Sequence, residues 1–317
     1  MPRILLVKTS SLGDVVHNLP VATDIAGALP GVEIDWVVEE SFATLPALHG
    51  SVARVIPVAV RRWRRHFFRR GVLAEIGAFA EELRSRAYDA VIDTQGLLKS
   101  AIVTRVARGR RFGLGWKASR EPLFPFYHRT FDVPRALHAV ERNRTLAARA
   151  LEYTPAARVD YAIRAPAAAF PWLGSAPYAV LIHATSARAK LWPEARWTAL
   201  GQSLRSEGVR CVLPWGTEEE RARSVRLAAV IPDAVIPPKL ELGAVASLVA
   251  AARYAIGVDT GVTHLACALG VATVGVYIST DPAATGLYGS ARAENVGGPA
   301  AVPSVEAIVQ VLRRLSQ

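Results

Sequence analysis

Short apolar runs that recur with helix-compatible segments between them constrain this chain more than any other feature. Arg3-Ile4-Leu5-Leu6-Val7 is the first, followed by the small-residue turn 8–14 and a helical segment opening at Val15. A run without polar alternation is how a strand buried on both faces reads. Similar runs occupy 32–38, 54–58 and 88–93, and the pattern restarts at 178–183, 209–214, 253–258 and 272–277. Strands alternating with helices at this spacing predict parallel sheets with helices on both faces, an α/β class. Residues 154–177 are rich in Ala and Pro and carry no period, so the interdomain linker belongs there. The expectation is two Rossmann-like domains, 1–160 and 161–317, with ligand loops facing a cleft between them. An amphipathic helix over 305–315 closes the chain and can pack back on the first domain. The first turn lacks G-x-G-x-x-G, so the dinucleotide fingerprint is missing.

The most informative polar cluster is Asp259-Thr260-Gly261-Val262-Thr263-His264, between the run ending at Val258 and a helical stretch that stops at Gly270. Free backbone N–H groups and the helix dipole make such a turn an anion site. Thr260 and Gly261 allow close approach of a phosphate, and Asp259 and His264 add polar groups at the same place. Capping explains any one of these residues; the set together favours a nucleotide or sugar-phosphate site. A second candidate is the turn 184–194, where Thr185 and Ser186 precede Lys190, one of only five lysines, and a Pro-Glu helix start. Ordinary surface lysine is the competing account of Lys190. After the strand at 209–214 come Glu218, Glu219 and Glu220. An acid beyond a strand end is placed to hold ribose hydroxyls, although an acidic first helical turn has the same composition. Asp14 lies in a first helical turn, where the dipole favours its carboxylate. On physics alone, capping with Ser10 or Ser11 as partner explains it slightly better.

Charge separates the two halves. Residues 1–155 hold 23 Lys and Arg against 15 Asp and Glu, and residues 156–317 hold 15 against 12, of a net +11. The excess in the first half predicts an anionic partner there: nucleic acid, a membrane surface or a phosphorylated acceptor. A general preference for arginine across a proteome accounts for part of it. The run Arg61-Arg62-Trp63-Arg64-Arg65-His66-Phe67-Phe68-Arg69-Arg70 has six arginines with aromatics between them. It suits a solvated helix face, a nucleic-acid arm or a grip on phosphate and carboxylate groups. Phe67 and Phe68 could reach into a lipid headgroup region or face the core. No apolar run reaches the ~18 residues that span a bilayer, and the run after Met1-Pro2-Arg3 is too short for a signal-peptide core. Cys211 and Cys267 lie far apart in apolar runs, as buried thiols of a reducing compartment would, and no metal-ligand spacing is present. The expected location is the cytoplasm.

Five motifs occur in order: S-S-L-G-D-V at 10–15, D-T-Q-G-L-L-K-S at 93–100, H-A-T-S at 183–186 with Lys190-Leu191-Trp192-Pro193, P-W-G at 214–216, and D-T-G-V-T-H-L-A at 259–266. Together they resemble glycosyltransferase family 9, end to end, and look more like its heptosyltransferases of the first type than of the second. The resemblance implies the GT-B fold, an ADP-heptose donor, the inner Kdo of Kdo2-lipid A as acceptor, and no cofactor or metal. It implies Asp14 as general base. Thr185, Ser186 and Lys190 would hold the diphosphate, with backbone donors from Thr260 and Gly261. Asp259 and His264 would contact the heptose or its phosphate, Glu220 the ribose, and the backbone around Leu240 the adenine. Where the family often has Thr, position 186 is Ser, which keeps the hydroxyl. Arg61, Arg64, Arg65, Arg120 and Arg144 would meet the acceptor's acidic groups. An anionic membrane surface, on the cytoplasmic face of the inner membrane, is the implied third partner, and no nucleic acid is expected. An inverting transfer places one carboxylate opposite the leaving diphosphate. A carboxylate is a weak base toward an alcohol, so the proton need move only late. Three other readings compete: a family 9 heptosyltransferase acting on a later core sugar, a noncatalytic polyanion or RNA binder, and a nicotinamide dehydrogenase, the last weakened by the missing glycine fingerprint.

Overall fold

The computed structural model describes residues 1–66, 69–299 and 301–316. The chain divides into two compact units, Met1–Ala162 and Ile163–Gln317, the division falling inside the Ala- and Pro-rich stretch. Unit 1 begins with β1 (Arg3–Val7), α1 (Leu12–Val16), α2 (Leu19–Ala28), β2 (Glu33–Glu39), α3 (Thr44–Ala47) and β3 (Val52–Val58). It continues through α4 (Val60–Arg65), α5 (Arg70–Arg84), β4 (Ala87–Asp93), α6 (Leu98–Val106), β5 (Arg108–Leu114), β6 (Arg129–Phe131) and α7 (Ala139–Leu151). Its sheet runs β3-β2-β1-β4-β5-β6, with every pairing parallel. That is the Rossmann order, with its reversal between β1 and β4.

Unit 2 opens with β7 (Tyr178–Ile182), α8 (Glu194–Ser206), β8 (Arg210–Val212), α9 (Glu218–Ala228) and α10 (Leu242–Ala250). Then come β9 (Tyr254–Val258), α11 (Gly261–Ala268), β10 (Thr273–Tyr277), α12 (Pro282–Thr285), β11 (Ala293–Gly297) and α13 (Val305–Leu315). Its parallel sheet runs β11-β10-β9-β7-β8, the flavodoxin-like order, which reverses between β7 and β9. Successive strand residues enter opposite cores. Ala179, Leu181, Ile256 and Val258 pack with Trp192, Trp197 and Leu200 on one face. Tyr178, Val180, Ile182 and Ala255 pack with Leu248 and Ala266 on the other. Burial on both faces is why these strands read as unbroken apolar runs. Trp192 and Trp197 are fully buried, edge to face at 5.1 Å. The terminal helix α13 places Ile308, Val311 and Leu312 in that same core of unit 2.

Three strands are illegible in the sequence. β5 is Arg-Gly-Arg-Arg-Phe-Gly-Leu, β6 has three residues, and β11 is Ala-Glu-Asn-Val-Gly. They sit toward the sheet edges, where a strand needs a partner's ladder more than an apolar face. The first half of the arginine run, residues 61–65, lies in α4, whose N-terminus is met by Glu39: its Oε1 accepts from the Arg61 backbone N–H at 2.9 Å. Trp63 turns inward to Phe79 at 5.7 Å, while Arg61, Arg64 and Arg65 stay exposed. Arg62 is held by Glu40 at 3.0 Å and Glu75 at 2.7 Å. Phe67 and Phe68, for which a headgroup role is conceivable, lie outside the described residues. Among the described residues, no helix is long and apolar enough to cross a membrane.

Arg144 departs from expectation. Its side chain is 3 % exposed, and its Nε donates to Asp24 Oδ2 at 2.7 Å. The other nitrogens donate to Asp24 Oδ1, Glu141 and the Ala156 carbonyl. A guanidinium enclosed by its own protein's carboxylates is a packing element of the α2–α7 interface. Arg144 is therefore withdrawn from the acceptor-binding set.

Candidate active site

In doubly wound sheets, ligands bind beyond the carboxyl ends of the strands where the order reverses. In unit 1 that place lies after β1 and β4. Gln95, following β4, accepts with Oε1 from the backbone N–H groups of Thr9 and Ser10, both at 3.0 Å, which ties the two loops together. Beneath it, fully buried Asp93 accepts from Gln95 N at 2.8 Å, Gly96 N at 3.2 Å and the Tyr127 hydroxyl at 2.8 Å. Burial pushes the Asp93 pKa up, and bonds from Ser100, Tyr127 and the backbone oppose that rise. On this base stands Asp14, half-buried in the first turn of α1. Its Oδ2 accepts from the backbone N–H and the hydroxyl of Ser11, each at 2.8 Å. The capping contact expected with Ser11 is thus real, and both bonds fall on one carboxylate oxygen.

Cations surround this carboxylate. Lys8, buried at the end of β1, donates from Nζ to the Thr94 carbonyl at 2.9 Å. Burial lowers its pKa, while Asp14 and Asp93 act to raise it. Lys99 in α6 donates to the Ser10 hydroxyl. Burial depresses the Lys99 pKa; Arg61 and Arg64 push the same way, and Glu39 and Asp14 oppose them. The exposed arginines of α4 therefore act on the same ammonium as Asp14, although 47 residues separate Arg61 from Asp14 in the chain. Arg120 is exposed and, with Arg135, acts electrostatically on Arg142.

In unit 2 the reversal lies between β7 and β9, and the loops after them converge. Asp259, 7 % exposed, accepts with Oδ2 from Lys190 Nζ at 2.7 Å and from the Thr280 hydroxyl at 2.9 Å. Its Oδ1 lies 3.3 Å from His264 Nε2. Burial works against the Asp259 charge, yet the hydrogen bonds of His264, Lys190 and Thr280 outweigh it and hold the carboxyl below the usual carboxylate range. The Thr185 hydroxyl reaches the Asp259 carbonyl at 3.5 Å, and Ser186 beside it is exposed. Thr260 is the N-cap of α11 with no side-chain cap bond. Helix N–H groups of the first turn therefore remain for an external acceptor. The helix can sit this close because of Gly257 in β9: a Cβ there would lie 2.1 Å from Thr263 Oγ1 and 2.9 Å from Ile182 Cβ. At the end of β7, fully buried His183 pairs its Nε2 with Ser224 Oγ at 2.9 Å.

Among the three glutamates only Glu220 closes a capping box. Its Oε2 accepts from Gly216 N at 2.6 Å and Thr217 N at 3.2 Å, and Thr217 Oγ1 accepts from Glu220 N at 3.3 Å. This leaves Oε1 outside those bonds, while Glu219 and Glu218 pair with Arg188 and Arg221. Leu240 is half-buried beside the core that contains Leu248. Sequence reasoning did not single out Gln95, Lys99 or Thr280. Lys99 carried a signal as one of five lysines inside a polar post-strand motif, and Thr280 follows the end of β10. Gln95 shows its function only through contacts 85 and 86 residues away.

Comparison with known proteins agrees with this arrangement. The family model described as Glycosyltransferase family 9 (heptosyltransferase) matches residues 76–306. Lipopolysaccharide heptosyltransferase 1 of Escherichia coli K12 is 46 % identical over 290 residues, covering 90 % of this chain and 91 % of that protein. The Pseudomonas aeruginosa protein of the same name is 47 % identical over 293 residues, covering 92 % and 82 %. The solved structure of E. coli heptosyltransferase WaaC with ADP superposes with a TM-score of 0.90 at 42 % identity, over 99 % of both chains. E. coli ADP-heptose lps heptosyltransferase II, at 18 % identity and a TM-score of 0.79, shares the fold over 99 % of this chain and 98 % of its own. Two Rossmann-like units of the GT-B class, each with a polar site at its strand-order reversal, and near full-length identity to these enzymes lead to one conclusion: the chain belongs to glycosyltransferase family 9, the heptosyltransferases.

Proposed function

We propose that this glycosyltransferase moves L-glycero-D-manno-heptose from ADP-heptose to the inner Kdo of Kdo2-lipid A, with inversion at the anomeric carbon. The observation that carries the reading is the 46–47 % identity with heptosyltransferases of the first type over at least 90 % of the chain, beside a superposition on E. coli heptosyltransferase WaaC with ADP that covers 99 % of it and so spans both polar sites. Unit 1 is the acceptor domain and unit 2 the nucleotide-sugar domain. Asp14 takes the proton from the attacking Kdo hydroxyl late in the transfer, as positive character builds on that oxygen. Ser11, bonded to Oδ2, sets the carboxylate's orientation. The leaving ADP gains charge as the glycosidic bond breaks. Lys190, held by Asp259, Thr185, Ser186 and the N–H groups at Thr260 and Gly261 stabilise that charge. Asp259 and His264 contact the heptose or its phosphate, Glu220 the ribose through Oε1, and the backbone near Leu240 the adenine. Arg61, Arg64, Arg65 and Arg120, with Lys99, meet the acceptor's carboxylates and phosphates. The protein works in the cytoplasm, peripherally on the inner membrane. An ADP-release assay with ADP-heptose and Kdo2-lipid A tests the reading. Wild type turns over, and Asp14→Ala binds ADP-heptose normally but turns over orders of magnitude more slowly. Near-normal turnover in Asp14→Ala refutes the base assignment. Activity only on an acceptor that already carries heptose refutes the acceptor assignment.

A further inference from the structure

Outside the polar site, unit 1 exposes an apolar patch that neither its core nor its chemistry explains. Among the described residues only two aromatic side chains are exposed, Trp116 at 66 % and Phe124 at 55 %, and their rings meet edge to face at 6.1 Å. They stand on the segment between β5 and β6. That segment packs on α6 through Leu123, Phe126 and Tyr127 against Ala101. Leu98 and Ile102, one turn apart on α6, are 48 % and 51 % exposed. The Leu98 backbone N–H donates to Glu121, which joins the two elements at that end. Four large apolar residues thus stay in water on two elements that pack together. Contiguous exposed apolar groups rimmed by polar residues mark interaction sites.

The charge around the patch indicates what covers it. Residues 98–128 contain seven Lys and Arg and one acid, Glu121. Arg105, Lys117 and Arg120 are exposed, and Arg105, Arg110 and Arg111 all act electrostatically on His128. Protein interfaces are depleted in lysine and in unpaired like charge at their centres. A bilayer surface with anionic headgroups accepts both components: rings settle at the headgroup level, and cations at the rim meet phosphates. Lys99 follows Leu98 directly and donates to Ser10, whose neighbour Ser11 is bonded to the Asp14 carboxylate, so the same end of α6 reaches the loop that carries the candidate base.

We propose that Trp116, Phe124, Leu98 and Ile102, rimmed by Lys117 and Arg105, form the face by which the protein sits on an anionic bilayer. This deepens the proposed function, since a lipid-linked acceptor is met at that surface, but it is read out independently. The experiment is co-sedimentation of the full chain with vesicles of 30 % phosphatidylglycerol in phosphatidylcholine, and with phosphatidylcholine alone. Wild type binds the anionic vesicles and hardly binds the neutral ones. Trp116→Ser/Phe124→Ser weakens that binding on the order of 10- to 100-fold, from the apolar area of two partly inserted rings. Lys117→Glu and Arg105→Glu each weaken it by at least about fivefold, the ~1 kcal/mol that one cation contributes at such a surface. All these side chains are exposed, so thermal melts stay at the wild-type value. ADP release with a deacylated, water-soluble acceptor also stays at wild-type rates. Wild-type affinity of the ring variant for anionic vesicles overturns the proposal. So does loss of turnover on the soluble acceptor, which makes the patch part of the acceptor site. Conversion of a dimer to a monomer by the ring substitutions, with vesicle binding unchanged, makes it a protein interface and likewise overturns the proposal. If wild type binds vesicles as described but releases no ADP, the proposed reaction falls and the docking surface stands.

Discussion

Replacing Arg144 with alanine separates a structural cation from a substrate-binding one. The guanidinium is 3 % exposed and Asp24, its main partner, is 3 % exposed too. The substitution removes two bonds to Asp24, at 2.7 and 3.1 Å, one to Glu141 at 2.9 Å, and the contact with the Ala156 carbonyl. Asp24 is then left buried in α2 without its guanidinium partner. Breaking a buried pair on one side costs about 3–5 kcal/mol, a large part of the ~5–15 kcal/mol that holds a protein together. Urea unfolding should show that loss for Arg144→Ala. The double variant Arg144→Met/Asp24→Leu, which removes both charges, should recover most of it. In steady-state kinetics below the unfolding range, the acceptor KM of Arg144→Ala should match wild type. A loss of stability below about 1 kcal/mol, or a raised acceptor KM in a fully folded variant, would return Arg144 to the acceptor site and refute the argument.

Two further outcomes follow from the same geometry. Burial, with Arg223 nearby, pushes the His183 pKa down to about 4. The unfolded chain therefore binds a proton near pH 6.5 that the folded protein refuses, and stability falls as pH drops from 6.5 toward 4. The full drop, complete only below pH 4, is about 3 kcal/mol, of which about 2 kcal/mol falls between pH 7 and pH 5; urea unfolding at those two pH values should show that share for wild type and lose part of it for His183→Asn. Gly257→Ala forces a methyl against Thr263 Oγ1 and Ile182 Cβ, so α11 must move off β9. Expected are a loss of about 1–3 kcal/mol and weaker ADP binding by calorimetry, whereas unchanged ADP affinity would mean that α11 does not hold the donor.

The apolar runs at β7, β9 and β10 declare themselves because each residue is buried whichever face it points to, and those at β1, β2 and β4 because all but their first residues and Asp89 are buried too. Once those strands alternate with helices, parallel sheets follow. The 259–264 cluster is legible as a polar strand-to-helix turn for a related reason: such a turn between a buried strand and a helix has few structural uses, and the fold gathers Lys190, Thr280 and His264 around Asp259 there. The α4 arginines are legible as a basic run, but not as neighbours of Asp14.

Composition and local order, then, suffice for the α/β class, the division into two halves, and the places where strand ends give way to polar turns. These properties depend on a residue and its near neighbours. Only the tertiary structure decides that Arg144 is enclosed by Asp24 from 120 residues away while Arg61 and Arg64 remain open, that Gln95 clamps the first loop, and that β5, β6 and β11 are strands at all. The free energy of a charge or an edge strand is set by its partners, and chain folding alone brings those partners within range.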